Sequence, residues 1–235
     1  MLMYLNELRQ RLLATLIWFG LWFLISWWHT RTILSFILTP ALKVLPESSM
    51  LITTHVTTAL YLPLKLAIDT ALLACMPMLL WQLWRFIVPA LYPSEQIAAK
   101  WFFIASSGLF ISGMLVCFYG VLPFFFSLSF HALPLYVKIL PDVGSTVHFI
   151  AHMLLIFGVC FELPILCVLL IRQEKITLMQ LIMLRPYAIV GAFVLGMLLT
   201  PPDVLAQIML ALPLWALYEL SLLACRWQLK NHKNS

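Results

Sequence analysis

Apolar stretches separated by short charged clusters run along the whole of this 235-residue chain. Most of them are long enough for a helix to cross the roughly 30 Å hydrocarbon core of a bilayer, which takes about 20 residues. They exceed the roughly 10 residues of a barrel strand, and the period-two alternation of a barrel is absent. The pattern therefore predicts six spanning helices, bounded by charges, at residues 12–28, 66–84, 101–122, 149–171, 186–199 and 204–225.

The composition supports an all-α polytopic membrane protein. Hydrophobic residues make up 63% of the chain and charged residues 10%, and the mean hydropathy is +1.01. A soluble domain of this length would need a charged surface that such a composition does not supply. Because no linker, low-complexity segment or internal repeat is visible, we expect residues 1–235 to form a single integral membrane domain.

Lys and Arg residues predict the orientation of these helices. Ten of them fall on the side that holds both ends of the chain, and four fall on the other side. Cytoplasmic loops carry an excess of Lys and Arg, so we expect both termini in the cytoplasm. The net charge of +5 then reflects orientation and not a nucleic-acid surface. The two larger outer loops, residues 29–65 and 123–148, contain many aromatic and aliphatic residues and are expected to be ordered.

The fifth stretch, residues 186–199, is shorter than the bilayer is thick. We expect this helix to pack against others or to lie where the bilayer thins. The segment that follows reads as a capping box for the sixth helix: Thr200 is the N-cap, Pro201 occupies the first helical position and Asp203 lies three residues after the cap.

Glu162 is a lone carboxylate inside the fourth apolar stretch, about two residues, or roughly 3 Å, past its midpoint. A charge at the centre of a bilayer costs about 2.5 to 3.5 kcal/mol on insertion scales. We therefore expect the group to be protonated or paired with a polar side chain of a partner helix. Pro164 cannot donate to the carbonyl of Cys160, so the helix should be locally open beside the carboxyl.

Other polar residues lie near the outer ends of the second and fourth spans. Lys65 precedes Asp69 by four residues on one helix face, so a local ion pair is expected. His148 and His152 also share a face, and that spacing can hold a metal ion, but no third ligand is nearby. Interfacial polar packing is therefore the favoured interpretation for both histidines, and His55 receives no role.

The sequence lacks the motifs of membrane proteases: there is no HExxH, GxSxG or intramembrane aspartate pair. We expect no catalysis, metal or cofactor. A proton-coupled transporter of small solutes is the main alternative, since such carriers use intramembrane carboxylates and proline-broken helices. The absence of visible repeats counts against it. A purely structural scaffold would tolerate changes at its polar membrane residues.

Several short motifs occur in order over nearly the whole chain. They are Glu7-Leu8-Arg9 with Arg11, Phe86 with Pro89-Ala90-Leu91-Tyr92 and Glu95, Phe157-Gly158 with Phe161-Glu162-Leu163-Pro164, Arg185-Pro186-Tyr187, and Thr200-Pro201-Pro202-Asp203 through Gln207, Pro213 and Tyr218-Glu219. Together they resemble the TatC family, the polytopic receptor subunit of the twin-arginine protein translocase. The six-span layout with both ends inside agrees with this family, for which the resemblance implies a concave helix assembly with short fifth and sixth spans.

The resemblance implies a receptor for folded proteins whose signal peptides carry paired arginines. Carboxylates suit that task, because they accept bidentate bonds from guanidinium groups. The implied signal-peptide site consists of Glu7, Arg9, Arg11, Phe86, Pro89, Tyr92 and Glu95. Two plainer interpretations stay open: Glu7 pairs with Arg11 along one helix face, and Glu95 lies favourably at a helix N-terminus. Tyr4 stands where the family usually has a histidine.

The resemblance also implies partners. They are the single-span subunits TatA and TatB, the signal peptides of folded cargo and further copies of the chain in a TatBC-type complex, in a bacterial inner membrane and driven by the proton-motive force. The residues expected to dock partners or support transport are Glu162, Pro164, Met197, Thr200, Pro201, Pro202, Asp203, Gln207, Tyr218 and Glu219. No GxxxG motif marks a close helix crossing.

Overall fold

The computed structural model describes residues 2–44, 51–53, 56–87, 93–131, 141–173, 175–199 and 204–233. These residues are almost entirely helical, and the one extended pairing among them is an isolated parallel bridge between Ile52 and Asp142. The all-α prediction is confirmed. In chain order the described helices are α1 (Leu2–Trp28), α2 (Thr30–Leu42), α3 (Val56–Ile87), α4 (Pro93–Val116), a π-helical turn (Cys117–Val121), α5 (Leu122–His131), α6 (Val143–Cys160), α7 (Leu163–Arg172), α8 (Leu178–Met183), α9 (Arg185–Leu199) and α10 (Val204–Lys233).

Five helical runs among the described residues are long and apolar enough to cross a bilayer, as expected of a membrane-embedded protein. They correspond to the predicted first, second, third, fourth and sixth spans and cover Arg9–Trp28, Tyr61–Arg85, Phe102–Ser129, Val143–Arg172 and Gln207–Trp227. The predicted fifth span is α9, an apolar helix of 15 residues, so its shortness is confirmed.

The helix that carries the predicted sixth span extends beyond it, whereas its apolar run, Gln207–Trp227, covers 21 residues. Helix α10 has 30 residues and continues past Cys225 to Lys233. Bounding the span by its charges finds only the apolar part of a helix. Arg, Lys and Gln are good helix formers, so a helix can extend from an apolar core into its polar flank without a break.

Part of the predicted outer loops is helical. Residues 30–42, expected in a loop, form α2, and residues 122–131 form α5. The apolar side chains seen in these loops explain the difference: α2 buries Ile37, Leu38 and Ala41, and α5 buries Phe125 and Phe126. Helix α2 is short and needs no spanning length to cover a core, so a search for spans does not detect it. Most of α5 belongs to the third helical run, Phe102–Ser129, which extends past the predicted end of that span.

The chain divides into two compact units. Unit 1 comprises Met1–Tyr92 and Leu122–Leu155, and unit 2 comprises Pro93–Val121 and Ile156–Ser235. In unit 1, α1 packs along α3, while α2 packs against both α3 and α5. In unit 2, α10 packs against α7, α8 and α9, and α4 packs against α7.

Candidate functional site

The predicted signal-peptide residues are only partly described. Arg9 is exposed and Arg11 is half-buried on α1. Glu7, Phe86 and Glu95 belong to α1, α3 and α4, but their side chains lie outside the described residues, as do all of Pro89 and Tyr92. This site therefore stays a prediction.

One contact supports the expected arrangement of the first two spans in unit 1. The Cys75 thiol on α3 donates to the carbonyl of Thr15 on α1, with a sulfur–oxygen distance of 3.9 Å. Thr15 lies about six residues, roughly 9 Å, from Arg9, and Cys75 lies about ten residues, roughly 15 Å, from Arg85. The contact joins the first two predicted spans within unit 1; their direction across the membrane stays a prediction.

The break at Pro164 is confirmed. Helix α6 ends at Cys160, Phe161 and Glu162 form a turn, and α7 begins at Leu163 with Pro164 in its first turn. The chain continues in nearly the same conformation, because the amide of Glu162 donates to the carbonyl of Val159 at 3.0 Å. Its backbone angles, φ −76° and ψ −17°, are helical. The proline therefore interrupts the hydrogen-bond ladder beside the carboxyl without ending the span.

The Glu162 carboxyl lies against the third span. Ser106 Oγ on α4 donates to Glu162 Oε2 at 2.6 Å, and Ser106 is fully buried. The other oxygen, Oε1, is buried and has no hydrogen-bond partner in the described part of the chain. Sequence analysis missed Ser106, although the Ser106-Ser107 pair inside an apolar stretch was a usable signal. The site thus offers one satisfied and one unsatisfied oxygen.

The helical run that contains Glu162 is longer than the predicted fourth span. The apolar helix that contains it begins at Val143 and ends at Arg172, so its midpoint lies next to Phe157. Glu162 is then about four to five residues, or roughly 7 Å, from the middle of this helical run. Its depth in the bilayer stays a prediction. The earlier start arises because the polar residues Ser145, Thr146 and His148 form the first turns of α6.

Two glycines bring α4 close to the end of α6. A Cβ added at Gly158 would lie 2.5 Å from Phe110 Cε2, and one at Gly113 would lie 2.7 Å from Phe161 Cγ and 2.9 Å from the carbonyl oxygen of Phe157. The Phe110 ring of α4 therefore lies over Gly158 of α6, and the Phe161 ring, in the turn after α6, lies over Gly113 of α4. Although no GxxxG motif occurs, the same physical principle of small residues at a close crossing operates here on two helices.

The contacts between these helices define an antiparallel register. Phe102, Ser106 and Phe110 follow one another along α4. Their partners are Arg172, Glu162 and Gly158, which come progressively earlier in the chain. The first partner is Arg172, whose guanidinium carbon lies 5.3 Å from the centre of the Phe102 ring. The polar pair and the two glycine contacts are therefore parts of a single helix interface, and this interface determines where the Glu162 carboxyl points.

Two predicted docking residues of the sixth span instead make contacts inside unit 2. The Tyr218 hydroxyl donates to the carbonyl of Leu181 at 2.7 Å, and the tyrosine is buried. Glu219 Oε2 accepts from Arg185 Nη2 at 2.8 Å, and both side chains are partly exposed. Tyr218 thus attaches α10 to α8, and Glu219 attaches it to α9.

Helix α8 holds its position through a capping box that sequence analysis missed. Thr177 Oγ1 accepts from the amide of Gln180 at 3.3 Å, and Gln180 Oε1 accepts from the amide of Thr177 at 2.8 Å. The Thr-x-x-Gln spacing was visible in the sequence. The helix completes an apolar cluster of Cys167, Leu181, Tyr218, Leu222 and Cys225.

At the other end of α9, Gln207 Nε2 donates to the carbonyl of Phe193 at 3.0 Å. Gly196 makes room for this contact, because a Cβ there would lie 3.1 Å from the backbone oxygen of Gln207. Met197 on α9 is more than half exposed. Thr200, Pro201, Pro202 and Asp203, with the capping box expected there, lie outside the described residues.

The ion pair expected between Lys65 and Asp69 is replaced by another contact in unit 1. His148 Nδ1 lies 3.8 Å from Asp69 Oδ2, and the His148 and His152 ring centres are 3.9 Å apart. A carboxylate on α3 meets α6 here, a long-range contact that the sequence did not reveal. Among the described residues, no three His, Cys, Asp or Glu side chains are arranged to hold a metal ion.

Comparisons with known proteins agree on one family. The family model described as Sec-independent protein translocase protein (TatC) matches residues 3–213. The TatC protein of Haemophilus influenzae is 39% identical over 224 residues, which cover 95% of this chain and 88% of that protein. The TatC protein of Escherichia coli K12 is 36% identical over 231 residues, which cover 98% and 90%.

The fold agrees as well. A crystal structure of the twin-arginine translocase receptor TatC superimposes with a TM-score of 0.84 at 33% sequence identity, covering 95% of this chain and 98% of that one. A second structure of this receptor, in the detergent DDM, gives the same TM-score at 34% identity. Both the sequence and the helix arrangement therefore place the chain in the TatC family of Sec-independent protein translocase proteins.

Proposed function

We propose that this protein is the receptor subunit of a twin-arginine translocase. It binds signal peptides with paired arginines on the cytoplasmic side of a bacterial inner membrane. Together with TatA and TatB, in a complex that contains several copies of the chain, it exports folded proteins with energy from the proton-motive force. Membership of the TatC family supports the translocase role, and a structural relative described as the twin-arginine translocase receptor supports the receptor role.

The single observation that carries the partner-docking part of this proposal is the half-satisfied carboxyl of Glu162. Ser106 binds one oxygen, whereas the other is buried and has no hydrogen-bond partner among the described residues. A buried acceptor without a partner costs about 1 to 3 kcal/mol, so a polar side chain from a docked helix would relieve a real penalty. Pro164 keeps the backbone ladder open at the same level.

The proposal treats the whole chain as one integral membrane domain with six spans, of which α9 is the fifth, and with both termini in the cytoplasm. Its support is the position of the basic residues relative to the described helices. Consecutive spans run in opposite directions, so six spans put one end of every span on the cytoplasmic side. Basic residues lie near these ends: Arg9 and Arg11 on α1, Arg85 on α3, Arg172 on α7, Arg185 on α9 and Arg226 on α10. An excess of such residues is typical of the cytoplasmic side.

We assign recognition of the signal peptide to the carboxylates of Glu7 and Glu95, with Arg9, Arg11, Phe86, Pro89 and Tyr92 around them. Two carboxylates match two guanidinium groups in charge and in hydrogen-bond geometry. Cross-linking from position 95 to a twin-arginine signal peptide tests this assignment. Glu7→Lys should abolish the cross-link without preventing membrane insertion, and so should Glu95→Ala when the probe stands at position 92. Unaltered cross-linking would contradict it.

The docking role of Glu162 has a separate test. Glu162→Ala should weaken cross-links from the fourth span to TatA or TatB while signal-peptide binding is retained. Photo-reactive probes at positions 166 and 197 would report on the fourth and fifth spans. Leu166 and Met197 are both exposed, so neither probe disturbs a packed core. Full transport with unchanged cross-links would defeat this role.

The alternative of a proton-coupled solute transporter gains no support from a specific contact among the described residues. It is tested by placing the purified protein in liposomes without cargo. We expect specific binding of a twin-arginine peptide and no solute movement. Solute movement without any peptide would favour the carrier.

A further inference from the structure

A recess between α3 and α6 in unit 1 combines polar and apolar walls. It is lined by Asp69, Leu72, Ala151, His152 and Leu155, and the roughly 210 Å³ of space counted there includes open solvent. Neither the signal-peptide residues nor the docking residues named above contribute to it.

The walls of this recess change character with depth. Helices α3 and α6 both enter the apolar region from the end at which they begin, and their continuous apolar stretches start at Leu66 and Phe149. Asp69 and His152 then lie about one helical turn inside, and Leu72 and Leu155 about two turns inside. Helical side chains tilt toward the N-terminus of their helix, so the polar atoms of Asp69 and His152 point back toward the membrane surface.

The polar end of the recess holds charges of both signs. Lys65 lies one turn above Asp69 on α3, at the edge of the apolar stretch. Asp69 Oδ2 faces His148 Nδ1 at 3.8 Å, which is too long for a hydrogen bond. Neither atom has a hydrogen-bond partner among the described residues. The carboxylate therefore keeps unused capacity as an acceptor.

His152 adds a second acceptor. Its Nδ1 lies 3.0 Å from the carbonyl oxygen of His148. Because a carbonyl only accepts, Nδ1 carries the hydrogen, and in the neutral ring Nε2 is then an acceptor. Two acceptors from different helices thus belong to one recess with aliphatic walls below them, and the cationic Lys65 lies one helical turn before Asp69 on α3.

We propose that this recess binds a zwitterionic phospholipid with a primary ammonium group, of the phosphatidylethanolamine type. The ammonium donates to Asp69 and to His152 Nε2, the phosphate lies near Lys65, and an acyl chain follows Leu72 and Leu155. A zwitterion matches a rim that holds one cation and one anion. An anionic headgroup would leave Asp69 without a counterpart, and choline has no N–H to donate.

Native mass spectrometry of the full-length protein in detergent tests this site without any substitution. The probes are dioleoyl lipids that share their acyl chains and differ only in the headgroup: phosphatidylethanolamine, its monomethyl and dimethyl derivatives, phosphatidylcholine and phosphatidylglycerol. We expect retention to fall stepwise as N–H groups are lost, by about tenfold from ethanolamine to choline. Equal retention across the series, or a preference for phosphatidylglycerol, would overturn the proposal.

Substitutions in the recess test whether it is the site that retains the lipid. Asp69→Asn should reduce ethanolamine-lipid retention to that of the choline lipid, and Leu72→Trp should weaken both lipids equally by filling the apolar wall. Lys43→Gln is the matched control, because Lys43 is an exposed cation at the end of α2 outside the recess. If Asp69→Asn keeps the headgroup preference, or if soluble glycerophosphoethanolamine competes as well as the whole lipid, the assignment is wrong.

Discussion

Ser106 Oγ donates a 2.6 Å hydrogen bond to Glu162 Oε2 and so joins α4 to the turn between α6 and α7. The serine is fully buried. The bond therefore orients a carboxyl group whose second oxygen has no partner in the described part of the chain. In the proposed receptor, Oε2 stabilises the packing of unit 2, and Oε1 accepts a hydrogen bond from a docked helix.

Ser106→Ala should destabilise the protein by about 1 to 3 kcal/mol, because Glu162 Oε2 stays buried and loses its donor. Ser107→Ala is the matched control. The Ser107 hydroxyl is buried and has no hydrogen-bond partner among the described residues, so its removal should be neutral or slightly stabilising. Thermal unfolding of both variants in the same detergent measures the difference. Equal losses would show that the 2.6 Å bond contributes nothing specific.

Gly158→Ala should destabilise the protein by about 1 to 3 kcal/mol, because the new methyl group would lie 2.5 Å from the buried Phe110 ring and force α4 and α6 apart. Gly108→Ala is the control on the partner helix α4: a Cβ there has open space, so helix propensity should make that change neutral or stabilising.

The same pair of variants also tests the helix register. If Gly158→Ala separates the helices, a cysteine pair at positions 106 and 162 should cross-link less efficiently in that background than in the Gly108→Ala background. Identical cross-linking in both backgrounds would contradict a crossing that depends on Gly158.

Tyr218→Phe should cost about 1 kcal/mol and loosen α8, since the lost hydroxyl leaves the carbonyl of Leu181 without its side-chain donor. Hydrogen exchange at residues 178–183 should rise. Tyr187→Phe provides the control, because Tyr187 is largely exposed. Unchanged exchange in Tyr218→Phe would mean that ring packing alone holds α8 in place.

Arg185 and Glu219 should show a coupling free energy of about 1 kcal/mol in a double-mutant cycle of Arg185→Gln and Glu219→Gln, measured by thermal unfolding. The value is modest because both side chains are about one-third exposed, so solvent screens the pair. Salt should reduce it. A cycle that closes with no coupling at low salt would show that the 2.8 Å contact does not stabilise the α9–α10 pair.

Local patterns were sufficient for much of the fold. The first four spans, the short fifth helix and the break at Pro164 follow from apolar length and from the missing amide of proline, which act within one helix. Only one member of the Ser106–Glu162 pair was identified from the sequence. The carboxylate is conspicuous in an apolar stretch, whereas its donor Ser106 was not recognised.

Contacts between helices could not be predicted from the sequence, because they depend on which helix faces pack together. Lys65 seemed the natural partner of Asp69 at a spacing of four residues, yet His148 lies closer once α3 and α6 are placed side by side. The close crossing at Gly113 and Gly158 carried no motif, because its small residues belong to different helices. Tyr218 and Glu219 lie on α10 at adjacent positions, but one points to α8 and the other to α9.

The sequence alone determined that this is a helical membrane protein of the TatC type, since bilayer thickness and backbone hydrogen bonding impose strong rules on any single span. Only the tertiary structure decided how its polar groups are used. A buried carboxyl, tyrosine or amide must find a partner at about 3 Å, and which atom lies at that distance depends on helix rotation and register, which hydrophobicity in a lipid environment does not specify.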